Sequence, residues 1–256
     1  MSGLDAEPGT YGEPGPMTGP GKMATLAYRT LRARHVPLYL VIFDCDGVLV
    51  DSEPVANRVV AEELTRLGWV MTTKECQVRF LGLNLTRMMP LIEAELRCPL
   101  PPDWELHMEE RLVTVLAEEV ELMPGAATAL AETTRLGLPW RIASNSSHAE
   151  LRAKFGRNGL GDVVAGRLHS HHDVALGKPA PDLFLAAAAA EGVAPESCVV
   201  IEDSVPGARA AMAAGMTCLG FCPDDDGAHL LAEGAAPFHS LHDLPALLRA
   251  ALEGTE

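Results

Sequence analysis

Two carboxylates, Asp44 and Asp46, stand two residues apart at the end of the apolar run Leu38 to Phe43, in the stretch Phe43-Asp44-Cys45-Asp46-Gly47-Val48-Leu49-Val50-Asp51-Ser52-Glu53. Acids placed directly after a buried segment are costly unless something engages them. A carboxylate there can attack an electrophile, move a proton or hold a hard cation through its oxygens. Three more polar clusters follow along the chain: Ser144-Asn145 in Ile142-Ala143-Ser144-Asn145-Ser146, Lys178 in Gly177-Lys178-Pro179-Ala180-Pro181-Asp182, and Glu202-Asp203-Ser204. Taken singly, each has a plainer reading, because Asp at a strand end is usually a turn or cap former and a lone Ser or Lys a loop residue. Taken together they supply hydroxyls, an ammonium and four carboxylates, which suits an anionic substrate.

What must position these residues is legible in the spacing of apolar runs. Leu38 to Phe43, Trp140 to Ala143, Cys198 to Ile201 and Thr217 to Phe221 are short, end in polar residues and precede helical segments. Buried parallel strands have this character, and their alternation with helices predicts an α/β fold with a Rossmann-like parallel sheet. Ligand sites of such sheets lie at the carboxyl ends of the strands, so the polar clusters should meet at one edge. The first two runs lie about a hundred residues apart where a βαβ unit needs about 30, which predicts an insertion. Its helices are marked by Val55, Val59, Val60, Leu64 and Leu67, by Met88, Leu91, Ile92 and Leu96, and by Leu106 to Leu116. The expected organisation is a catalytic core over residues 36–53 and 123–256, an inserted α-helical cap domain over 54–122, and a disordered tail over 1–22 dominated by Gly, Pro and small polar residues. The basic stretch with Arg29, Arg32 and Arg34 reads as a solvated leader.

The four clusters, in this order and each at an expected strand end, resemble the motifs of the haloacid dehalogenase superfamily, and the likeness runs from about residue 38 to 250. Asp44 to Ser52 resembles the first motif, DxDGxLxDS; Ser144 the second; Lys178 the third; and Glu202-Asp203 the fourth. The resemblance implies a Mg²⁺-dependent phosphatase. Asp44 would attack phosphorus to give an aspartyl phosphate, and Asp46 would protonate the leaving oxygen and then take a proton from water. Asp44, Asp203, the backbone carbonyl of Asp46 and Glu202 would hold the metal, with Glu202 either a ligand or a support for one. Ser144, Asn145 and Lys178 would bind the transferring phosphate. In the cap, Gly82, Asn84 and Arg87 are candidates for substrate selection. Asp51 and Ser52 read equally as caps of the first cap helix or as part of a hinge.

Asp46 favours phosphoryl transfer over halide displacement, in which relatives carry another residue at that place. The inserted helices and Phe221-Cys222-Pro223-Asp224 resemble sugar-phosphate phosphatases of the 6-phosphogluconate type. A β-phosphoglucomutase-type isomerase ranks second: the Lys-Gly-x-x-Arg stretch of such mutases reads Leu81-Gly82-Leu83-Asn84-Leu85 here, without cations for a second phosphate. A non-catalytic phosphate-binding protein ranks third. The net charge of -15 argues against nucleic acid as a partner. No apolar run reaches the roughly 18 residues that span a bilayer, so no membrane role is expected. Six cysteines without a CxxC pair suit a reducing cytoplasm. A monomer or weak dimer acting on a small phosphorylated metabolite is the expectation. His169, His171, His172 and Asp173 read as a solvated loop rather than a metal cluster.

Overall fold

The computed structural model describes residues 21–80 and 83–253. The described residues open with α1 (Gly21–Arg32), β1 (Leu40–Phe43) and β2 (Val50–Asp51). Four helices follow, α2 (Glu53–Arg66), α3 (Thr73–Phe80), α4 (Leu85–Leu96) and α5 (Trp104–Glu119), and then β3 (Glu121–Leu122). The rest runs α6 (Ala126–Arg135), β4 (Trp140–Ser144), α7 (His148–Arg157), α8 (Gly161–Val164), β5 (Leu168–Ser170), α9 (Asp182–Glu191), β6 (Cys198–Glu202), α10 (Val205–Ala213), β7 (Thr217–Phe221), α11 (Ala228–Ala232), β8 (Ala236–Phe238) and α12 (Leu244–Glu253).

Six strands form one sheet in the order β5-β4-β1-β6-β7-β8, with every pairing parallel. Its residues are apolar on both faces: in β1, Val41 and Phe43 join the larger core, while Leu40 and Ile42 join a second one on the opposite side. That two-sided burial is why the strands read as continuous apolar runs instead of alternating ones. The chain winds from β1 outward to β4 and β5, then returns to β6 on the other side of β1. The winding therefore reverses between β1 and β6, the kind of crevice where open α/β sheets bind ligands.

β2 and β3 pair antiparallel, Val50 with Leu122 and Asp51 with Glu121, so the chain leaves for α2 and returns from α5 at one place. Among the inserted helices, α2 packs on α3 and α5, while α5 also packs on α7. Trp69 and Phe80 meet edge to face at 5.9 Å within this part. α3 escaped the sequence pattern because Cys76 and Phe80 are its sole buried residues.

The basic stretch expected to be a solvated leader is instead docked. Ala27 and Leu31 of α1 are buried, and the helix packs against α12 and β8. Arg34 donates to the Glu196 carbonyl at 2.7 Å, the Cys198 carbonyl at 3.2 Å and the Thr217 hydroxyl at 2.5 Å. The positive charges at Arg29 and Arg32 sit in the last turn of α1, where a helix end favours cations. Of the expected tail, residues 1–20 lie outside the described residues, and Gly21 already begins α1. Gly82 lies outside them too.

If α1 is part of the core, Leu31→Ala should lower the unfolding free energy by about 2–4 kcal/mol through lost burial and a residual cavity. Urea denaturation measures this; an unchanged midpoint would return α1 to the role of an undocked leader.

Candidate active site

The tip of β1 is where the backbone begins to serve the acids. The Asp44 N–H donates to the Ile201 carbonyl at 2.9 Å, extending the β1–β6 ladder by one residue and holding Asp44 rigidly beside β6. The next residues turn sharply. The Leu49 and Val50 N–H groups both donate to the Cys45 carbonyl, and Gly47 N–H donates to the Val50 carbonyl. Gly47 has φ +78°, and a Cβ there would collide with the Asp203 carboxylate. Glycine is thus required at 47 for two reasons, the left-handed backbone and the approach of an acid from the end of β6. Cys45, between the two aspartates, is fully buried.

Asp44, Glu202 and Asp203 come together, with one carboxylate oxygen of each within 4.8 Å of the others. Lys178 joins them: its ammonium donates to Asp44 Oδ1 at 2.5 Å and to Glu202 Oε1 at 2.6 Å, and lies 4.7 Å from the centre of the Phe184 ring. Three acids therefore share one ammonium. Burial pushes the Asp44 carboxyl up to about 7; Lys178 pulls it down, while Glu202 and Asp46 add to the rise. Burial also pushes the Asp203 carboxyl well above the carboxylate range, helped by the charges of Glu202, Asp44 and Glu53. Burial works against the Lys178 ammonium too, but Asp44 and Glu202 hold its pKa above the usual lysine value.

The three acids are not equivalent. Glu202 Oε2 accepts from the Asp203 N–H, the Ser204 N–H and the Ser204 hydroxyl, each at 2.9 Å, and its other oxygen is taken by Lys178. Among the described residues, no donor reaches the Asp203 carboxylate. A divalent cation fits this arrangement: Asp44 and Asp203 have oxygen to give, the local charge is in excess, and Glu202 is saturated as a support. Glu202 sits where Gly207 of α10 would otherwise carry a side chain, since a Cβ at 207 would overlap its carboxylate.

Asp46 faces a separate set of partners. Its Oδ1 accepts from the Ser52 hydroxyl and from the Lys154 ammonium at 2.6 Å; its Oδ2 accepts from Ser144 at 3.1 Å and Ser146 at 2.8 Å. Burial would raise this carboxyl, but the Lys154 charge and the hydrogen bonds of Lys154, Ser52 and Ser146 outweigh it and bring it down to about 2. Lys154 had no place in the sequence reading. Its signal was faint but present: on α7, Leu151, Lys154 and Phe155 lie on one helix face and all three are buried. Ser52 stands at the start of α2 and makes no side-chain cap; its hydroxyl goes to Asp46 instead.

Asn145 accepts from the Lys178 N–H at 2.9 Å and donates to the Lys178 carbonyl at 3.2 Å, so its amide grips that lysine's backbone. In the inserted helices, Asn84 caps α4 by accepting from the Arg87 N–H, and the Arg87 side chain is exposed. Asp173 accepts from the Ser170 N–H and contacts His148 at 2.8 Å, which makes the histidine-rich loop a capped turn.

Residues 39–215 match the model of the haloacid dehalogenase-like hydrolases. The chain is 30% identical over 211 residues to the 6-phosphogluconate phosphatase of Escherichia coli, covering 82% of this chain and 94% of that one. Among solved structures, it resembles a haloacid dehalogenase-like protein of unknown function from Agrobacterium tumefaciens at 37% identity and a TM-score of 0.71, over 83% of this chain and 98% of that one. A hydrolase from Deinococcus radiodurans, solved with bound phosphate and sodium, gives 34% identity and 0.70, over 84% and 97%.

The Gly207 cradle yields a test. Gly207→Ala should destabilise the protein by about 1–3 kcal/mol through overpacking against Glu202. Gly215→Ala, with open space around its Cα but φ +74°, serves as the comparison for backbone strain alone. A Gly207→Ala midpoint unchanged from that of the wild type would mean that Glu202 is free to move away.

Proposed function

The chain belongs to the haloacid dehalogenase-like hydrolases and is a phosphoric monoester hydrolase; from that premise we propose that it is a Mg²⁺-dependent phosphatase acting on a small phosphorylated metabolite, a sugar phosphate, through an aspartyl phosphate on Asp44. One observation carries the reading: Asp44, at the carboxyl end of the central strand, is bonded to Lys178 and adjoins Asp203, which has no donor among the described residues. The two acids of the first motif also have opposite surroundings. Asp44 lies in the cation-deficient cluster, and Asp46 is held by its own ammonium and three hydroxyls. In the free site the partners of Asp46 favour its carboxylate, so it takes up the proton it delivers only as bound substrate diverts its hydroxyl donors and brings negative charge beside it.

In the first step, an Asp44 oxygen forms a bond to phosphorus while the bond from phosphorus to the ester oxygen breaks. The departing oxygen keeps the electron pair and takes a proton from the Asp46 carboxyl. In the second step, Asp46, now a carboxylate, takes a proton from water as the water oxygen attacks phosphorus. The acyl-phosphate bond breaks, Asp44 returns as a carboxylate and inorganic phosphate leaves. Lys178 and the Ser144 hydroxyl stabilise the transferring oxygens, and Asn145 contributes by fixing the backbone from which Lys178 reaches. The Asp44 and Asp203 carboxylates and the Asp46 carbonyl, with Glu202 behind them, would hold Mg²⁺, which would supply the positive charge that lets an anionic nucleophile approach an anionic ester.

The helices over 54–122 act as a cap on the core formed by 36–53 and 123–256, closing over bound substrate by movement at the β2–β3 ribbon. Asn84 and Arg87, at the start of α4, belong to the part of the cap assigned to substrate selection. Gly82 completes that assignment from the sequence.

Steady-state assays that detect inorganic phosphate test the proposal. Release from a panel of hexose and pentose phosphates should need Mg²⁺ and stop on chelation. Asp44→Asn should fall below about one-thousandth of wild-type turnover while unfolding normally, and Asp46→Asn should lose about 10²–10⁴-fold. Near-native turnover by Asp44→Asn would remove the nucleophile assignment. Interconversion of β-glucose 1-phosphate and glucose 6-phosphate without phosphate release would replace the hydrolase reading with the mutase.

A further inference from the structure

Two lysines are buried at the site, and the chemistry above uses only Lys178. Lys154 is 2% exposed, and its ammonium donates to Asp46 Oδ1 at 2.6 Å and to the Ser146 hydroxyl at 2.7 Å. Taking an ammonium out of water costs several kcal/mol, and an apolar side chain of similar volume would fill the same space without that penalty. Resting on the proposed proton-carrier role of Asp46, we propose that Lys154 is a positioning residue that holds the Asp46 carboxyl in line with the ester oxygen through the reaction.

The four donors to Asp46 differ in how firmly they are placed. Ser144 is required at the transferring phosphoryl group, so its bond to Oδ2 is surrendered when substrate binds. Ser52 stands where β2 passes into α2, on the side of the chain that moves if the inserted helices close. Ser146 donates to Oδ2 at 2.8 Å and accepts from Lys154 at 2.7 Å, so its own placement depends on the ammonium. Lys154 alone is charged and built into a locked helix. At its start, α7 is pinned by a capping box between Ser147 and Glu150. Near its end, Asn158 donates to the Lys154 carbonyl at 2.9 Å. Leu151 and Phe155 bury the face that carries Lys154. When the hydroxyls are diverted, the ammonium keeps hold of Oδ1, and Oδ2, released by Ser144, is the oxygen left to carry the proton.

A leaving-group comparison reads this role directly. Nitrophenolate departs without needing a proton, whereas a sugar alkoxide needs one, so loss of aim should penalise sugar esters selectively. Lys154→Met should lower kcat/KM on a hexose 6-phosphate by at least about thirtyfold, within the range attributed to general acid catalysis, and on p-nitrophenyl phosphate by less than about threefold. Lys154→Arg, which keeps the charge, should recover part of the gap. Should Lys154→Met fail to fold, Ser146→Ala, which removes one bond to each partner, should open a smaller gap in the same direction. Equal losses on both substrates, or none on either, in folded protein would overturn the proposal. Asp46→Asn separates the two ideas: it must open the same gap, and if it does not, the acid role of Asp46 fails; if it does while Lys154→Met does not, only the role of Lys154 falls.

Discussion

Three carboxylates and one ammonium, packed together at the end of the central strand, set the terms for the rest of the molecule. Asp44, Glu202 and Asp203 converge within 4.8 Å, and the one described cation bonded there, Lys178, reaches Asp44 and Glu202. Such a group of like charges tends to fly apart or take up protons. It holds because two of the acids are anchored: Asp44 by its ladder bond to Ile201 and by Lys178, Glu202 by Lys178 and by the N–H groups of Asp203 and Ser204. The residual negative charge is what makes the place attractive to a divalent cation, and with it to a phosphate ester.

Close packing of acids demands missing atoms elsewhere. Gly47 and Gly207 lack side chains where the Asp203 and Glu202 carboxylates lie, so two glycines remote in sequence complete one electrostatic arrangement. Asp46 is kept apart from that arrangement by its own cation and three hydroxyls. A single turn after β1 thereby presents two acids to two electrical environments.

The strands that carry the chemistry were readable because burial on both faces leaves unbroken apolar runs, and Leu40–Phe43, Trp140–Ser144, Cys198–Glu202 and Thr217–Phe221 all lie where those runs do. The edge strands were not: Leu168–Ser170 has one apolar residue, and Ala236–Phe238 has a proline at its centre. The basic residues near Arg32 masked a docked helix, since charge at exposed positions dominates the composition while Ala27 and Leu31 do the packing. For the site, the clustering of Asp44, Glu202 and Asp203 follows from strand-end placement, whereas Lys178, in the loop between β5 and α9, was legible through its motif alone. The bond from Lys154 to Asp46 does not, because a lysine in a short amphipathic helix is ordinarily solvated and its partner is far back in the chain. Nor could spacing show that Asn145 would spend its amide on the Lys178 backbone, or Asn84 its oxygen on a helix end.

The position of β1 in the middle of the sheet bears on how the protein is made. It precedes the other strands of its sheet along the chain, yet Val41 pairs with Trp140 and Leu40 with Cys198, so both neighbours arrive much later. Until then a thoroughly apolar strand has no partner, which exposes a nascent chain to aggregation and makes the sheet slow to close. Asp44 rides on that strand and meets Lys178 and Asp203 only after β6 docks. A chain that has not yet docked β6 therefore carries its acids unassembled, and the cluster itself reports that the centre of the sheet has closed.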